Sequence, residues 1–315
     1  MNMTQRYNAN LTSVGLATMF KSPVCEDLSK IDADVAFLGI PYDGGVGYRP
    51  GTRFGPSSMR EYSKRFTSWG GANPAGYWDL DVGKRRLEGI RMVDCGDVDI
   101  AYYDLERNFG LITQNIETIL DRGALPILIG GDHSVTFPCV RAFSRFEKID
   151  VIHIDAHLDW IDGVDGVRFA SGSPLRRTKE LPFVRKMTHI AIRDVRTRQE
   201  DWEALHDNGA TVITRMMIRN NLQAALDRIP DMSNVYVTMD IDAMDPSIAP
   251  GTGSPCSDGL LYHELKAILQ DVAAKGKIVG FDLVEINPLV DLAGQTSLMA
   301  STAMLEFLGA IFESR

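Results

Sequence analysis

The sequence predicts an α/β protein: a mostly parallel sheet of about eight strands with helices covering both faces. Three observations carry that expectation. Short β-branched apolar runs recur along the whole length. Stretches with a helical period lie between them. Most of the runs are apolar almost without interruption, which suits strands buried on both faces.

Taken in order, residues 1–30 show no such pattern and read as an arm laid on the surface or on a neighbouring subunit. Residues 31–315 read as a single domain, because no Pro/Gly/Ser linker divides them. The first strand is V-A-F-L-G-I from Val35. A helix over 105–122 gathers Phe109, Ile112, Ile116 and Ile119 on one face. Strands follow as L-P-I-L-I-G from Leu125, V-I-H-I-D from Val151, H-I-A-I from His189, A-T-V-I-T from Ala210 and V-Y-V-T-M-D-I-D from Val235. A helix over 262–274 places Leu265, Ile268, Leu269 and Val272 together, and the strand I-V-G-F-D-L-V-E-I from Ile278 comes next. The largely apolar segment 297–312 closes the chain as a buried helix.

Composition narrows the function. The 315 residues are 44% apolar, enough for a sizeable core, and the net charge of −9 argues against a nucleic-acid surface. The first residues lack a basic-then-apolar signal pattern, and no run of about 18 apolar residues exists, so neither a membrane span nor a membrane partner is expected. Cys25, Cys95, Cys139 and Cys256 have no C-x-x-C spacing and read as free thiols in a reducing, cytoplasmic setting.

The ionisable residues collect at strand ends. The strand from Leu125 runs into G-D-H-S, that from Val151 into A-H-L-D, that from Val235 into I-D-A-M-D-P and that from Ile278 into E-I-N-P. In open α/β sheets, ligands bind beyond the carboxyl ends of strands. Residues two apart on a strand point the same way, so Asp155, His157 and Asp159 would share a side if the strand continues that far, and so would Asp240 and Asp242. With His133 this makes two imidazoles and four carboxylates. Four clustered carboxylates cannot all stay ionised without cations. Six donors exceed one tetrahedral zinc site, whereas two ions sharing bridging carboxylates use them all. Mixed O/N ligation without thiolate suits Mn²⁺, with Ni²⁺, Co²⁺ or Fe²⁺ as chemical alternatives. A metal pair makes hydroxide at neutral pH, so hydrolysis is the expected reaction. His153, between Ile152 and Ile154, reads as a core histidine or one that supports a ligand. The stretch D-G-G-V-G-Y-R-P-G lacks phosphate-loop spacing and shapes a pocket wall instead.

The segments G-I-P-Y-D-G-G (39–45), R-P-G-T-R-F-G-P (49–56), G-G-D-H-S (130–134), D-A-H-L-D (155–159), D-I-D-A-M-D-P-S-I-A-P-G-T-G-S-P (240–255) and G-F-D-L-V-E-I-N-P (280–288) together resemble the ureohydrolase (arginase/agmatinase) family, nearest its agmatinase-like branch. The resemblance implies a three-layer αβα arginase-like fold with a mostly parallel eight-stranded sheet. It implies one ion at His133, Asp155, Asp159 and Asp240, and another at Asp155, His157, Asp240 and Asp242. Mn²⁺ is the usual metal and a few relatives use nickel. A bridging hydroxide would attack the amidino carbon, Asp159 would pass a proton to the leaving amine, and Glu285 would hold the guanidinium. Homotrimers or hexamers are usual, and a heteromeric assembly stays open.

The pattern departs at Ser171 of R-F-A-S-G-S-P-L-R-R, where arginases and most agmatinases carry a histidine. Serine does not titrate near neutral pH, so agmatine, the default substrate of that branch, stands beside open alternatives: guanidinobutyrate, guanidinopropionate, formiminoglutamate, guanidine or a biguanide. Ser171 reads equally as a substrate contact or a turn residue. Trp160 reads equally as an aromatic cavity wall or a core residue. Arg176 and Arg177 read as a salt-bridge network before a carboxylate site. Amide hydrolysis at a single zinc, and a non-catalytic partner subunit, fit the intact six-residue set less well.

Overall fold

In a computed structural model, residues 12, 15–66, 75–101, 103–163 and 166–314 of the chain are described. The elements run β1 (Val35–Ile40), α1 (Gly55–Ser63), β2 (Tyr77–Asp79), β3 (Lys84–Arg86), β4 (Met92–Asp97), α2 (Leu105–Asp121), β5 (Leu125–Gly130), α3 (Thr136–Arg141), β6 (Ile149–Ile154) and α4 (Pro174–Lys179). They continue β7 (Val184–Ile192), α5 (Gln199–Asp207), β8 (Thr211–Thr214), α6 (Arg215–Asn220), α7 (Leu222–Leu226), β9 (Asn234–Asp240), α8 (Tyr262–Lys275), β10 (Lys277–Val284) and α9 (Gln295–Glu313).

Eight strands form one sheet in the order β4-β1-β5-β10-β9-β6-β7-β8, and every pairing in it is parallel. β2 and β3 form a separate antiparallel hairpin. Neighbouring residues of one strand enter opposite layers, as the pleat requires. Ile127, Ile152 and Phe281 join a core with helices α8 and α9, whereas Leu128, Val151 and Tyr236 join a second core with α2 and α3. The predicted helix faces are the buried ones: Phe109, Ile112, Ile116 and Ile119 on α2, and Leu265, Ile268, Leu269 and Val272 on α8.

β4 was not among the expected strands, because its M-V-D-C-G-D is half polar. Asp94 is buried there because Arg60 of α1 donates to it through Nε at 2.9 Å and Nη2 at 3.1 Å, and the Met19 amide adds 2.8 Å. The first residues of the predicted arm, 1–11, 13 and 14, lie outside the described residues. From residue 15 onward the arm packs on its own domain. Phe20 is buried against Phe37, 5.5 Å between ring centroids, and Val24 bridges Asp94, covering the edge strand. All four cysteines are free.

Candidate metal centre

The four strands that lead into the polar motifs, β5, β10, β9 and β6, are the four consecutive strands at the middle of the sheet. Parallel pairing therefore brings G-D-H-S, E-I-N-P, I-D-A-M-D and A-H-L-D to one rim. The convergence does not come from strand alternation. β6 ends at Ile154, and Asp155, His157 and Asp159 lie in the irregular segment after it. β9 ends at Asp240, and Asp242 sits in a 3₁₀ turn, Ile241–Ala243, whose amide donates to Asp240 Oδ1 at 2.8 Å. Asp159 and Glu285 both adopt left-handed backbone, with φ of 49° and 65°. For non-glycine residues that conformation costs on the order of 1 kcal/mol or more, and it concentrates at functional sites.

The side chains form two groups that share Asp155. In the first, His133 Nδ1 lies 3.1 Å from Asp155 Oδ2, 2.8 Å from Asp159 Oδ2 and 3.3 Å from Asp240 Oδ2. In the second, His157 Nδ1 lies 3.3 Å from Asp155 Oδ1 and 3.1 Å from Asp242 Oδ2. His133 Nδ1 is close to three carboxylates yet in hydrogen-bonding alignment with none, a buried nitrogen without a hydrogen-bond partner among the described residues. Asp240 reaches the first group through Oδ2, while its Oδ1 is taken by the Asp242 amide.

The outer contacts fix the inner ones. His133 Nε2 is 3.1 Å from Thr238 Oγ1, which donates at 2.6 Å to Asp282 Oδ1. Asp282 also accepts from Tyr236 Oη at 2.6 Å and from Thr136 Oγ1 at 3.1 Å. A hydroxyl has one hydrogen, so Thr238 spends it on Asp282 and accepts from His133 Nε2–H, which keeps Nδ1 facing the carboxylates. His153 uses both ring nitrogens, Nε2 to Asp155 Oδ2 at 2.8 Å and Nδ1 to His189 Nδ1 at 2.8 Å. It has a donor atom within the first group's span, but neither nitrogen is open.

Burial pushes the Asp240 carboxyl well above the usual carboxylate range, and the charges of Asp242 and Asp155 push it further. Asp242 is raised by burial and by Asp155, against the pull of His157. Burial also opposes ionisation of Asp155, but His153, His133 and His157 hold it well below the usual range. Burial works against charge on His133 and His157, yet the carboxylates raise both well above an ordinary histidine. The protein alone offers four carboxylates and too little positive charge. Two divalent cations would supply the difference, and the O/N donor set fits them.

Glu285 stands on the same rim, buried, with Oε1 accepting the His133 amide at 2.9 Å. Oε2 has no hydrogen-bond donor among the described residues, and no arginine pairs with this carboxylate. Glu285, His133, His157, Asp159, Asp240 and Asp242, with Asp155 buried behind them, line a cavity of about 440 Å³ that also includes Gly47, Tyr48, Ser171, Asp194 and Arg196. Ser171 is half-buried in its wall and tied by its amide to Gly45 O at 3.2 Å. Trp160, read equally as an aromatic cavity wall or a core residue, lines the cavity while only 2% exposed, edge-on to His189 at 5.7 Å. Arg177 is buried and bridges Asp162 at 2.5 Å and Glu180 at 3.1 Å, and Arg176 lies near Asp162 and Asp201. Both belong to a salt-bridge network. Sequence reasoning missed Asp194, Arg196 and Arg193. Their signal was R-D-V-R-T-R at the carboxyl end of β7, on the same rim.

Known proteins agree with this geometry. The sequence profile of the Arginase family matches residues 33–309. The human mitochondrial guanidino acid hydrolase is 32% identical over 305 residues, 95% of this chain and 83% of that protein. The agmatinase of Bacillus subtilis is 32% identical over 279 residues, 88% of this chain and 91% of its own length. The solved structure of proclavaminate amidinohydrolase from Streptomyces clavuligerus superposes with a TM-score of 0.83 at 29% identity, covering 97% of this chain and 100% of that one. The chain belongs to the arginase family, whose members use a binuclear metal site, and is an amidinohydrolase acting on guanidino compounds.

Proposed function

We propose that the chain splits the C–N bond between a guanidino carbon and its substituted nitrogen, releasing urea and an amine, with two divalent ions held at its central rim. One site would comprise His133, Asp155, Asp159 and Asp240, the other Asp155, His157, Asp240 and Asp242. The observation that supports this most is the gathering of these six side chains, two groups sharing Asp155 with Asp240 beside His133, and the Glu285 carboxylate on the wall of the same cavity. Mn²⁺ suits the donor set, and Ni²⁺ is compatible with it.

When bound, such an ion pair cancels the carboxylate charge and makes water acidic enough to ionise near neutral pH. The chain does the rest. Glu285, held by the His133 amide, receives the planar guanidinium through two N–H donors. Asp159 Oδ2 faces His133, which leaves Oδ1 to take the proton of the attacking water and give it to the departing nitrogen. Thr238 and Asp282 hold the His133 ring. Ser171 contributes a hydroxyl to the cavity wall, a contact that orients substrate but does not titrate.

The same reading takes 31–315 as one domain, residues 1–30 as an arm laid on the surface or on a neighbouring subunit, the assembly as a trimer or hexamer, and the location as cytoplasmic. No described helix is long and apolar enough to cross a membrane. The test is urea release from the metal-loaded protein across agmatine, guanidino acids, guanidine and biguanides, with formamide release from formiminoglutamate. Turnover of at least one supports the reading, and silence from all overturns it.

A further inference from the structure

We propose that Cys25 and Cys95 form a thiol–disulfide pair, which a small-molecule disulfide converts to a cross-link fastening the arm to the edge strand β4. Neither cysteine lines the cavity described above, so the proposal stands whatever substrate that cavity takes.

The backbone sets the two residues side by side. The Asp94 amide donates to Pro23 O at 2.9 Å and the Cys25 amide to Asp94 O at 2.9 Å, which pairs Val24 with Asp94 in parallel register. Cys25 and Cys95 are the next residues on the two segments. Neighbouring strands run about 4.8 Å apart, inside the range of roughly 4.4–6.8 Å that a disulfide needs between its Cα atoms. The pleat then gives both side chains one face. Asp94 turns towards Arg60 and the Met19 amide on the α1 side of the sheet, so Cys95 turns the other way. Cys95 is buried in the core beneath α2, and Cys25, half-buried, packs on that same core. Cys139 lies in α3 and Cys256 beside Arg193, so neither competes for either partner.

The chemistry runs in two exchanges. Cys25, the more accessible thiol, loses its proton and attacks one sulfur of the small disulfide. That S–S bond breaks, a mixed disulfide forms on Cys25, and one small thiol leaves with the proton. In the reduced chain Cys25 Sγ donates to Asp27 O at 3.4 Å, a weak bond that a χ1 rotation breaks. Cys95 then loses its proton, attacks the Cys25 sulfur and expels the second small thiol, which takes that proton. The chain gives up two electrons and two hydrogens, and the small disulfide becomes two thiols. Burial and the Asp27 charge push the Cys25 thiol up, and burial with Cys25 nearby pushes Cys95 up to about 12, so the exchange is slow. Once closed, the bond spans about 70 residues of chain and restrains the unfolded state. It also holds the arm over an edge that β4 would otherwise leave open.

Prolonged incubation of the full-length protein with oxidised glutathione tests this. Acid quenching, alkylation of the remaining thiols and peptide mapping by mass spectrometry read where each sulfur ends. We expect a linked Cys25–Cys95 peptide pair that dithiothreitol separates, and a Tm raised by roughly 5–10 °C over the reduced protein. Cys95→Ala should stop at a glutathione adduct on Cys25 and show no such rise. If Cys95→Ala fails to fold, Cys25→Ala at the more exposed position takes its place, and there Cys95 should stay free with no rise in Tm. Glutathione retained on Cys25 of the unaltered protein while Cys95 is alkylated overturns the proposal. So does Cys25 linked to Cys256 or to a second chain, or both thiols recovered in alkylated form.

Discussion

Replacing Asp282 with alanine tests how the centre is held. Asp282 lies one layer below His133, fully buried, and accepts from Tyr236 Oη at 2.6 Å, Thr238 Oγ1 at 2.6 Å and Thr136 Oγ1 at 3.1 Å. The alanine variant leaves three buried hydroxyls without their acceptor, at roughly 1–3 kcal/mol each. Against that stands relief from burying a carboxylate, since burial holds the Asp282 carboxyl above its ordinary range despite the opposing pull of His133 and three hydroxyls. The net loss should be about 2–4 kcal/mol, which lowers Tm by roughly 5–10 °C in a chain of this size. Thr238 also becomes free to rotate its hydrogen towards His133 Nε2, so the ring loses its fixed orientation and metal affinity should fall about 10- to 100-fold. Asp282→Asn keeps one acceptor for the threonines and should cost about 1 kcal/mol with most of the affinity retained. Thermal melts with and without chelator, together with competition against a metal-binding dye, read both effects. Lower stability with unchanged metal affinity in the alanine variant would refute the claim that this carboxylate orients His133.

Other outcomes follow from neighbouring groups. Arg193 donates to the carbonyls of Asp242 at 2.7 Å, Cys256 at 2.9 Å, Ser257 at 3.0 Å and Ala243 at 3.2 Å, tying the turn that carries Asp242 to β7. Arg193→Ala should destabilise by about 2–4 kcal/mol and weaken one ion more than the other, read by calorimetric metal titration. Burial pushes the Asp132 carboxyl up to about 6, only partly offset by Ser134 and the Gly45 amide. Its folded pKa thus exceeds the unfolded value of about 3.9, so the stability it lends is present at low pH and is lost as pH rises through about 4 to 6. In urea melts of metal-free protein, the advantage of the unaltered chain over Asp132→Asn should shrink by about 1 kcal/mol from pH 5 to pH 7, and an advantage that grows would contradict the assignment. Burial pushes the Cys95 thiol up to about 12 and that of Cys139 well above its ordinary range, so a thiol reagent at pH 8 should label Cys25 and Cys256 first in the native protein.

Much of the architecture could be read from residue order because its causes are local. Apolar runs such as V-A-F-L-G-I bury every residue of β1, and the spacing of Phe109, Ile112, Ile116 and Ile119 sets the inward face of α2. β4 escaped because its buried Asp94 is satisfied by Arg60, more than thirty positions earlier, and periodicity does not see such a partner. The six candidate metal-binding side chains were legible for a related reason: ionisable residues at the ends of apolar strands stand out. How they converge was not legible. Alternation along a strand would have aimed Asp155, His157 and Asp159 together, whereas the chain uses a turn with Asp159 in left-handed backbone and a 3₁₀ turn at Asp242. Neither conformation has a distinct residue signature. Trp160 shows the same limit from the other side, since whether an aromatic residue next to Asp159 faces the cavity or the core depends on packing against His189. Arg196 depends on which loop β7 feeds, a matter of sheet order.

Two divalent ions around Asp155 would carry the chemistry. The most direct measurement is metal content per chain of Mn²⁺-reconstituted, desalted protein, with urea release followed on the same sample and on Asp155→Ala. Close to two ions per chain are expected, with turnover proportional to the second ion bound and loss of both ions and turnover in the variant. One ion per chain with full turnover, or turnover that survives Asp155→Ala, would contradict it.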